Sequence, residues 1–520
     1  MKDKILNILV CICLLSFMSC NDDFLDHNPS DEVSSDVLLD TEGSIEAAMN
    51  GLYYNLSNPK DYDFSLYQMG FAFVNEVRAD DVMSNDGVWN NLFYEAYTYN
   101  SSKADNLGPY IWNYSYFAID QCNVIINDGL LALDDEDKRK DYIAQAKAIR
   151  AMVYWDLVSV FARPYIVDNG ASPGVPLITL SEHGKSNARG TVKAIYDQIF
   201  KDLTEALADI GSESDKLRVN EAMINGMLAR YYLDLGDYAK AMSFAEEAVG
   251  IVGPMSANEL RYGLSGTPSE SMLTLVNTEN AWAPYRTHAT YWDDYDGMGR
   301  DIRIPIEFAE QFAYDDIRRD FFWSQYNWKK WAPYYADAYE SAQQDNFNWS
   351  WPDRLYMYGK FPRLDFKCSD IEAYVRTGDH SYVSEWGSVG LGNYTYMRSS
   401  EMVLVVAECA ARLASPQTAK AQEWLHKIQS RAIEGAPVSS NTGQALIDEI
   451  MLEKRKELLG EGHRMRDILR LRQDIQRPAS TWTSKDFISK DDPKILLPIP
   501  DTEIKVNELI NEEDQNPGYK

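Results

Sequence analysis

Basic residues are scarce in this sequence: 50 Lys and Arg stand against 80 Asp and Glu, a formal net charge of −30. Such a surface repels nucleic acid and anionic lipid and favours neutral or cationic ligands. Histidine and cysteine are scarce as well, six of each in 520 residues. The histidines are scattered, and no Ser/His/Asp order, HExxH, Walker loop or paired-cysteine motif appears. GSVGLG, residues 387–392, is not the dinucleotide fingerprint and has no strand before it. WDDYDGMGRDIR, residues 292–303, puts Trp292 and Arg303 at the two ends of a would-be calcium loop, where oxygen ligands are required. Among 80 acidic residues any two carboxylates could be cast as a glycosidase pair, so their presence carries no weight. No metal, no cofactor and no enzymatic activity are expected. Long Gly-, Ser- or Pro-rich linkers are missing too, and 45% hydrophobic content is ample for a core.

The N-terminal apolar run is short. Lys2 and Lys4 precede Ile5 to Phe17, which stops well before the roughly 20 residues a spanning helix needs and runs into Asp22, Asp23 and Asp26. That is the shape of a signal peptide, residues 1–19. Ser19 directly before Cys20 is similar to the lipobox of bacterial lipoproteins, in which the cysteine is acylated and becomes the new N-terminus; the other reading is ordinary secretion with Cys20 incidental. Residues 20–40 then form a tether. Cys122, Cys368 and Cys409 read as isolated buried thiols.

Residues 41–250 are patterned as amphipathic helix. Thr41 is placed as a cap, and Ile45, Ala48, Met49 and Leu52 share one face. Ile195, Ile199, Leu203, Ala206 and Leu207 repeat the pattern further on. NGMLARYYLDLGDYAKAMSFAEEAV sets Leu228, Ala229, Tyr232, Gly236, Tyr238, Ala241, Ala245 and Ala248 at the spacing of one tetratricopeptide unit, with Gly236 at the turn. A looser copy lies at 399–433. One such unit cannot bury its own apolar face, so a stacked helical solenoid is expected.

Residues 251–395 differ in kind. Eight of the thirteen tryptophans crowd into them, more than twice an even share, among frequent Gly, Pro, Asn and Asp. An irregular aromatic-rich lobe inserted into the solenoid, where binding would reside, accounts for this. Residues 396–520 return to helix and are expected to pack on the scaffold.

Five stretches carry a family resemblance in order: AQAKAIRAMVYWDLVSVFARPY with GVPLITL, the unit at 225–248, MRSSEMVLVVAECAARL, EKRKELLGEGHRMRDILR, and the tail LLPIPDTEIKVNELINEEDQNPGY. Together with CNDDFLDHNPSDEVSSD they resemble the SusD/RagB family over nearly the whole mature chain. Lys454 stands where that family commonly has Arg, an aromatic is missing near Met465 and Arg466, and FARPY replaces a Gly-containing turn. These departures touch helix packing. The resemblance implies a mainly α fold, a tetratricopeptide-like solenoid with an inserted ligand-binding lobe. It implies an outer-membrane lipoprotein held by lipid on Cys20 and facing the exterior. Its partners would be an oligosaccharide ligand and a SusC-like TonB-dependent transporter, to which the captured sugar is delivered. The acids after Cys20 are similar to the export signal of such lipoproteins.

Sugar recognition needs flat apolar faces against C–H groups and planar amides, carboxylates or Arg for hydroxyls. Residues 75–97 offer Asn75, Arg78, Asp80, Asp81, Trp89, Asn90 and Tyr94, in the part of the chain that contributes to the family's glycan site. Residues 280–297 offer Trp282, Tyr285, Arg286, Tyr291, Trp292 and Tyr295. Core packing is the competing reading for each aromatic. Glu453, Glu457, Glu461, Arg464 and Asp467, at helical spacing, read as ion pairs bracing the last helices. A peptide ligand, as in the RagB branch, is the alternative within the fold; a surface hydrolase is the reading outside it.

Overall fold

A computed structural model describes residues 39–57, 66–84, 92–103, 107–181, 184–212, 215–261, 263–264, 266–277, 302–321, 354–355, 393–479 and 485–520. Its helices are α1 (Glu42–Ser57), α2 (Ala72–Val77), α3 (Leu92–Thr98), α4 (Leu107–Asp128), α5 (Glu136–Phe161), α6 (Val192–Asp209), α7 (Glu221–Asp234), α8 (Tyr238–Ile251), α9 (Ser399–Arg412), α10 (Thr418–Ala432), α11 (Gly443–Leu458), α12 (Arg464–Arg470) and α13 (Asp501–Val506), with a few single turns between them. Strands are short: β1 (Met83–Ser84), β2 (Pro173–Pro176), β3 (Arg189–Thr191), β4 (Ser271–Leu275), β5 (Ile302–Pro305), β6 (Arg354–Leu355), β7 (Tyr394–Arg398), β8 (Ile475–Gln476) and β9 (Phe487–Ile488). The fold is mainly helical.

The expected apolar faces are the buried ones. Ile45, Met49 and Leu52 on α1, and Ile195, Ile199, Leu203 and Ala206 on α6, are all closed to solvent. Thr41 caps α1, its Oγ1 accepting from the Ser44 amide at 3.1 Å. From α4 to α11 each helix packs on the next in chain order. The α7–α8 hairpin turns at Gly236, whose φ of +74° is the left-handed region that glycine enters without strain. Leu228, Ala229, Ala241, Ala245 and Ala248 line the seam between the two helices at zero exposure, and the small side chains let the backbones come close. Next comes α9, packed on α8, and then α10. Cys122 and Cys409 are free buried thiols.

The helical array and the inserted segment are joined by one ribbon. β4 and β7 pair antiparallel, with Ser271 opposite Arg398 and Leu275 opposite Tyr394, and all ten residues are buried. Residues 276–393 therefore leave and return between neighbouring strands. Within them β5 pairs with β1 on one side and with β6 on the other, which fastens the insertion to the N-terminal half. The eight tryptophans and Cys368 lie outside the described residues, as do Cys20 and the rest of the N-terminal segment.

The tail closes the array. The Leu497 amide donates to the Val160 carbonyl at 3.1 Å, and the Asn516 side-chain amide donates to both Phe161 O and Leu497 O, at 2.8 and 2.7 Å. Those bonds use the last carbonyls of α5, which a helix C-terminus would otherwise leave unpaired. Among the described residues no helix is long and apolar enough to cross a membrane.

Candidate ligand-binding site

The polar residues singled out between 75 and 81 converge in the structure, but in its interior. Asn75, on α2, is fully buried, and neither its side-chain oxygen nor its nitrogen has a hydrogen-bond partner. Arg78 is 1% exposed and spends a guanidinium N–H on the carbonyl of Ile495. Asp80 is gripped by both prongs of Arg464, at 2.7 and 2.9 Å. Asp81 is held by Arg455 through Nε, at 3.0 and 3.1 Å, and through Nη2. Burial works against the charge on Asp80, yet the Arg464 guanidinium holds its carboxyl below the usual range. Burial pushes the Asp81 carboxyl up despite Arg455.

The expectation that Asn75, Arg78, Asp80 and Asp81 present their side chains to a ligand is therefore corrected. A carboxylate taken out of water must be paired, and here the partners come from α11 and the start of α12. Tyr94, on α3, is half-buried against the main core, 6.4 Å from the Tyr97 ring. Trp89, Asn90, Trp282, Tyr285, Arg286, Tyr291, Trp292 and Tyr295 lie outside the described residues.

The charged cluster near the C-terminus is a brace. Arg398 binds Glu461 through two bonds of 2.8 Å, Glu270 at 2.6 Å and Glu457 at 2.7 Å. Arg431 reaches the same Glu457 at 2.6 Å, and Arg318 reaches it from the inserted segment at 3.0 Å. A second group sits beside it: Lys454 donates to Asp467 at 2.9 Å, and Arg470 binds both Asp467 and Glu408. Every member of these two groups is under 10% exposed. Glu453, Glu457, Glu461, Arg464 and Asp467 were legible as an ion-pair set. Their distant partners Arg318, Arg398 and Arg431 were not, since they lie up to 139 residues away in sequence.

One pocket opens on this region. It has a volume of about 240 Å³ and is lined by one stripe of α11, facing Arg412 at the end of α9 and Arg464 and Gln473 around α12. None of these was among the candidate binding residues read from the sequence, where residues 396–520 were expected only to return to helix and pack on the scaffold. No group of three His, Cys, Asp or Glu side chains among the described residues is placed to hold a metal.

A family model described as the SusD family matches residues 257–519. The chain belongs to the SusD family. A second model, described as starch-binding associating with outer membrane, matches residues 23–233. Among curated relatives, this SusD-family chain is 25% identical to SusD-like protein P2 of Formosa agariphila, over 98% of its own length and 99% of the relative's. Among solved structures, a SusD superfamily protein from Bacteroides thetaiotaomicron is 25% identical with a TM-score of 0.73, covering 92% of this chain and 100% of that one. A SusD-like carbohydrate binding protein from Bacteroides vulgatus shares the fold at 19% identity and a TM-score of 0.70, over 92% and 99% of the two chains. Lys454 pairs with Asp467 at 2.9 Å and Glu408 at 3.6 Å.

Proposed function

We propose that this SusD-family protein is a non-enzymatic, cell-surface glycan-binding lipoprotein. It is anchored to the outer membrane by lipid on Cys20, faces outward, and hands oligosaccharides to a SusC-like TonB-dependent transporter. The observation that carries the reading is the pair of family matches: they cover both halves of the chain, and one bears a starch-binding description. The net charge of −30 agrees with a neutral ligand. So does the crowding of aromatics into residues 251–395, which would supply stacking faces. The platform residues in this reading are Trp89, Tyr94, Trp282, Tyr285, Tyr291, Trp292 and Tyr295, with Asn90 and Arg286 for hydroxyls.

The test is calorimetry on the soluble form, residues 21–520, against a panel of neutral oligosaccharides. A few stacking and hydroxyl contacts set against lost ligand freedom give an expected Kd between about 1 µM and 1 mM, with the glycan recovered uncleaved. No heat with any glycan, alongside binding of peptides, would replace the sugar with a peptide ligand.

A further inference from the structure

The pocket on α11 is an odd surface for a helix. Gln444, Ile447, Asp448, Met451, Leu452 and Arg455 stand at positions i, i+3, i+4, i+7, i+8 and i+11, so they form a single stripe, and all six line the cavity. The floor is aliphatic: Met451 is 8% exposed, and Ile447 and Leu452 are half-buried. The walls are polar, and much of their hydrogen-bonding capacity goes unused by the described residues. Arg412 bonds Glu408 through Nε alone, at 2.8 Å, which leaves both its Nη groups. Arg455 gives Nε and Nη2 to Asp81, which leaves Nη1. Asp448 accepts from Gln444 at 2.7 Å on Oδ1 only, which leaves its Oδ2 and the Gln444 oxygen. Gln473 accepts weakly from Arg464, at 3.5 Å, and its side-chain amide donors stay unused.

Unused donors and acceptors thus share one small lining with apolar side chains. That is the complement of a ring bearing hydroxyls, each of which both donates and accepts. Charge selects further. Around the pocket Arg412, Arg455, Arg464, Lys454 and Arg470 face Glu408, Asp81, Asp80, Asp467 and Asp448, five charges of each sign, so nothing here favours an anion. At about 240 Å³ the pocket falls below the roughly 300 Å³ at which drug-sized ligands begin to be held, which gives room for one ring and not for a chain.

We propose that this pocket is a site for one neutral monosaccharide unit; the choice of sugar as ligand rests on the carbohydrate reading above. Asp448 and Gln473 carry the hydroxyl contacts, with Arg412 and Met451 completing the lining.

The test is saturation-transfer NMR on the full chain in detergent with D-glucose, D-xylose and D-glucuronate as probes. A neutral sugar should show transfer, and Asp448→Ala and Gln473→Ala should each weaken it about tenfold, the loss of one or two hydrogen bonds. Both residues are exposed, so both variants should melt with the wild type. The proposal is overturned by no transfer from either neutral sugar, by a signal that both variants leave intact, or by tighter binding of glucuronate. Oligosaccharide binding that survives those outcomes would leave the main reading standing; its loss across the glycan panel, with monosaccharide transfer retained, would sink the main reading alone.

Discussion

Arg398 and Glu461 meet as a fork, Nε on Oε2 and Nη2 on Oε1, both at 2.8 Å, with both side chains sealed from solvent. The same guanidinium also holds Glu270 and Glu457, so one residue at the end of β7 contacts three carboxylates from two parts of the chain, and Arg431 and Arg318 supply the further positive charge. Removing one partner of a buried pair leaves the others charged and unpaired, which costs more than the pair itself contributes. Arg398→Met should therefore lower unfolding free energy by roughly 3–5 kcal/mol, read by urea denaturation. A loss below about 1 kcal/mol would show that the brace is solvated.

Gly236 and Gly462 separate two reasons for glycine. At Gly236 the backbone is left-handed, but an added Cβ would meet only the tip of Ile166 at 3.9 Å. Gly236→Val should cost roughly 1–2 kcal/mol from conformation alone. At Gly462 the backbone is also left-handed, φ +82°, and a Cβ would lie 2.9 Å from the Ala72 Cα, where the Gly462 amide donates to Glu76. Gly462→Ala should cost more, roughly 3 kcal/mol, because α2 would have to move. Melting of the two variants side by side checks the order; equal losses would refute it.

Helix faces and the Gly236 turn were readable because a 3.6-residue period and a left-handed turn leave local marks. The tail's docking was readable only as a resemblance. Asp80 and Asp81 were misread as ligand contacts because their fate is decided by Arg464 and Arg455, more than 370 residues further on. In sequence, a carboxylate facing an arginine and one facing a hydroxyl look the same. The α11 pocket was invisible for a related reason: unused donors are a property of neighbours.

His463 supplies a pH test. Burial, partly opposed by Glu401 at 3.6 Å, brings its pKa down to about 4; Arg230 and Lys454 act in the same direction as burial, and Glu461 against it. Below about pH 6.5 the unfolded chain takes up a proton that the folded chain refuses, so stability falls with pH until the folded imidazole also titrates near 4. The loss attributable to His463 should reach up to roughly 3 kcal/mol across that window. Asp156 and Asp234, whose carboxyls burial pushes up, work in the opposite direction. The readout is therefore the difference between wild type and His463→Gln, whose stability should fall less from pH 7 to pH 4. Parallel curves would reject a buried neutral imidazole.

The anchor is tested in cells. Acylated Cys20 on an outward-facing protein requires that Cys20→Ala release the protein from the outer membrane, and that protease added to intact cells digest the wild type. Digestion only after lysis would put the protein on the inner leaflet.

The ligand prediction turns on what kind of force holds the sugar. Stacking of a pyranose on an aromatic ring depends on apolar contact area, so it responds little to ionic strength, whereas a contact between exposed charges is screened within about 10 Å at 0.1 M salt. Affinity for a neutral oligosaccharide should accordingly change less than about twofold between low and high salt. Trp89→Ala and Trp292→Ala should each weaken binding by about 1–3 kcal/mol while leaving the melting temperature in place. A ring that belongs to the core would instead lower the melting temperature, since truncating a buried Trp costs roughly 3–5 kcal/mol. Calorimetry and melting on the same two variants thus distinguish a platform from a packing residue at each position, and a steep salt dependence would show that charged groups carry the recognition.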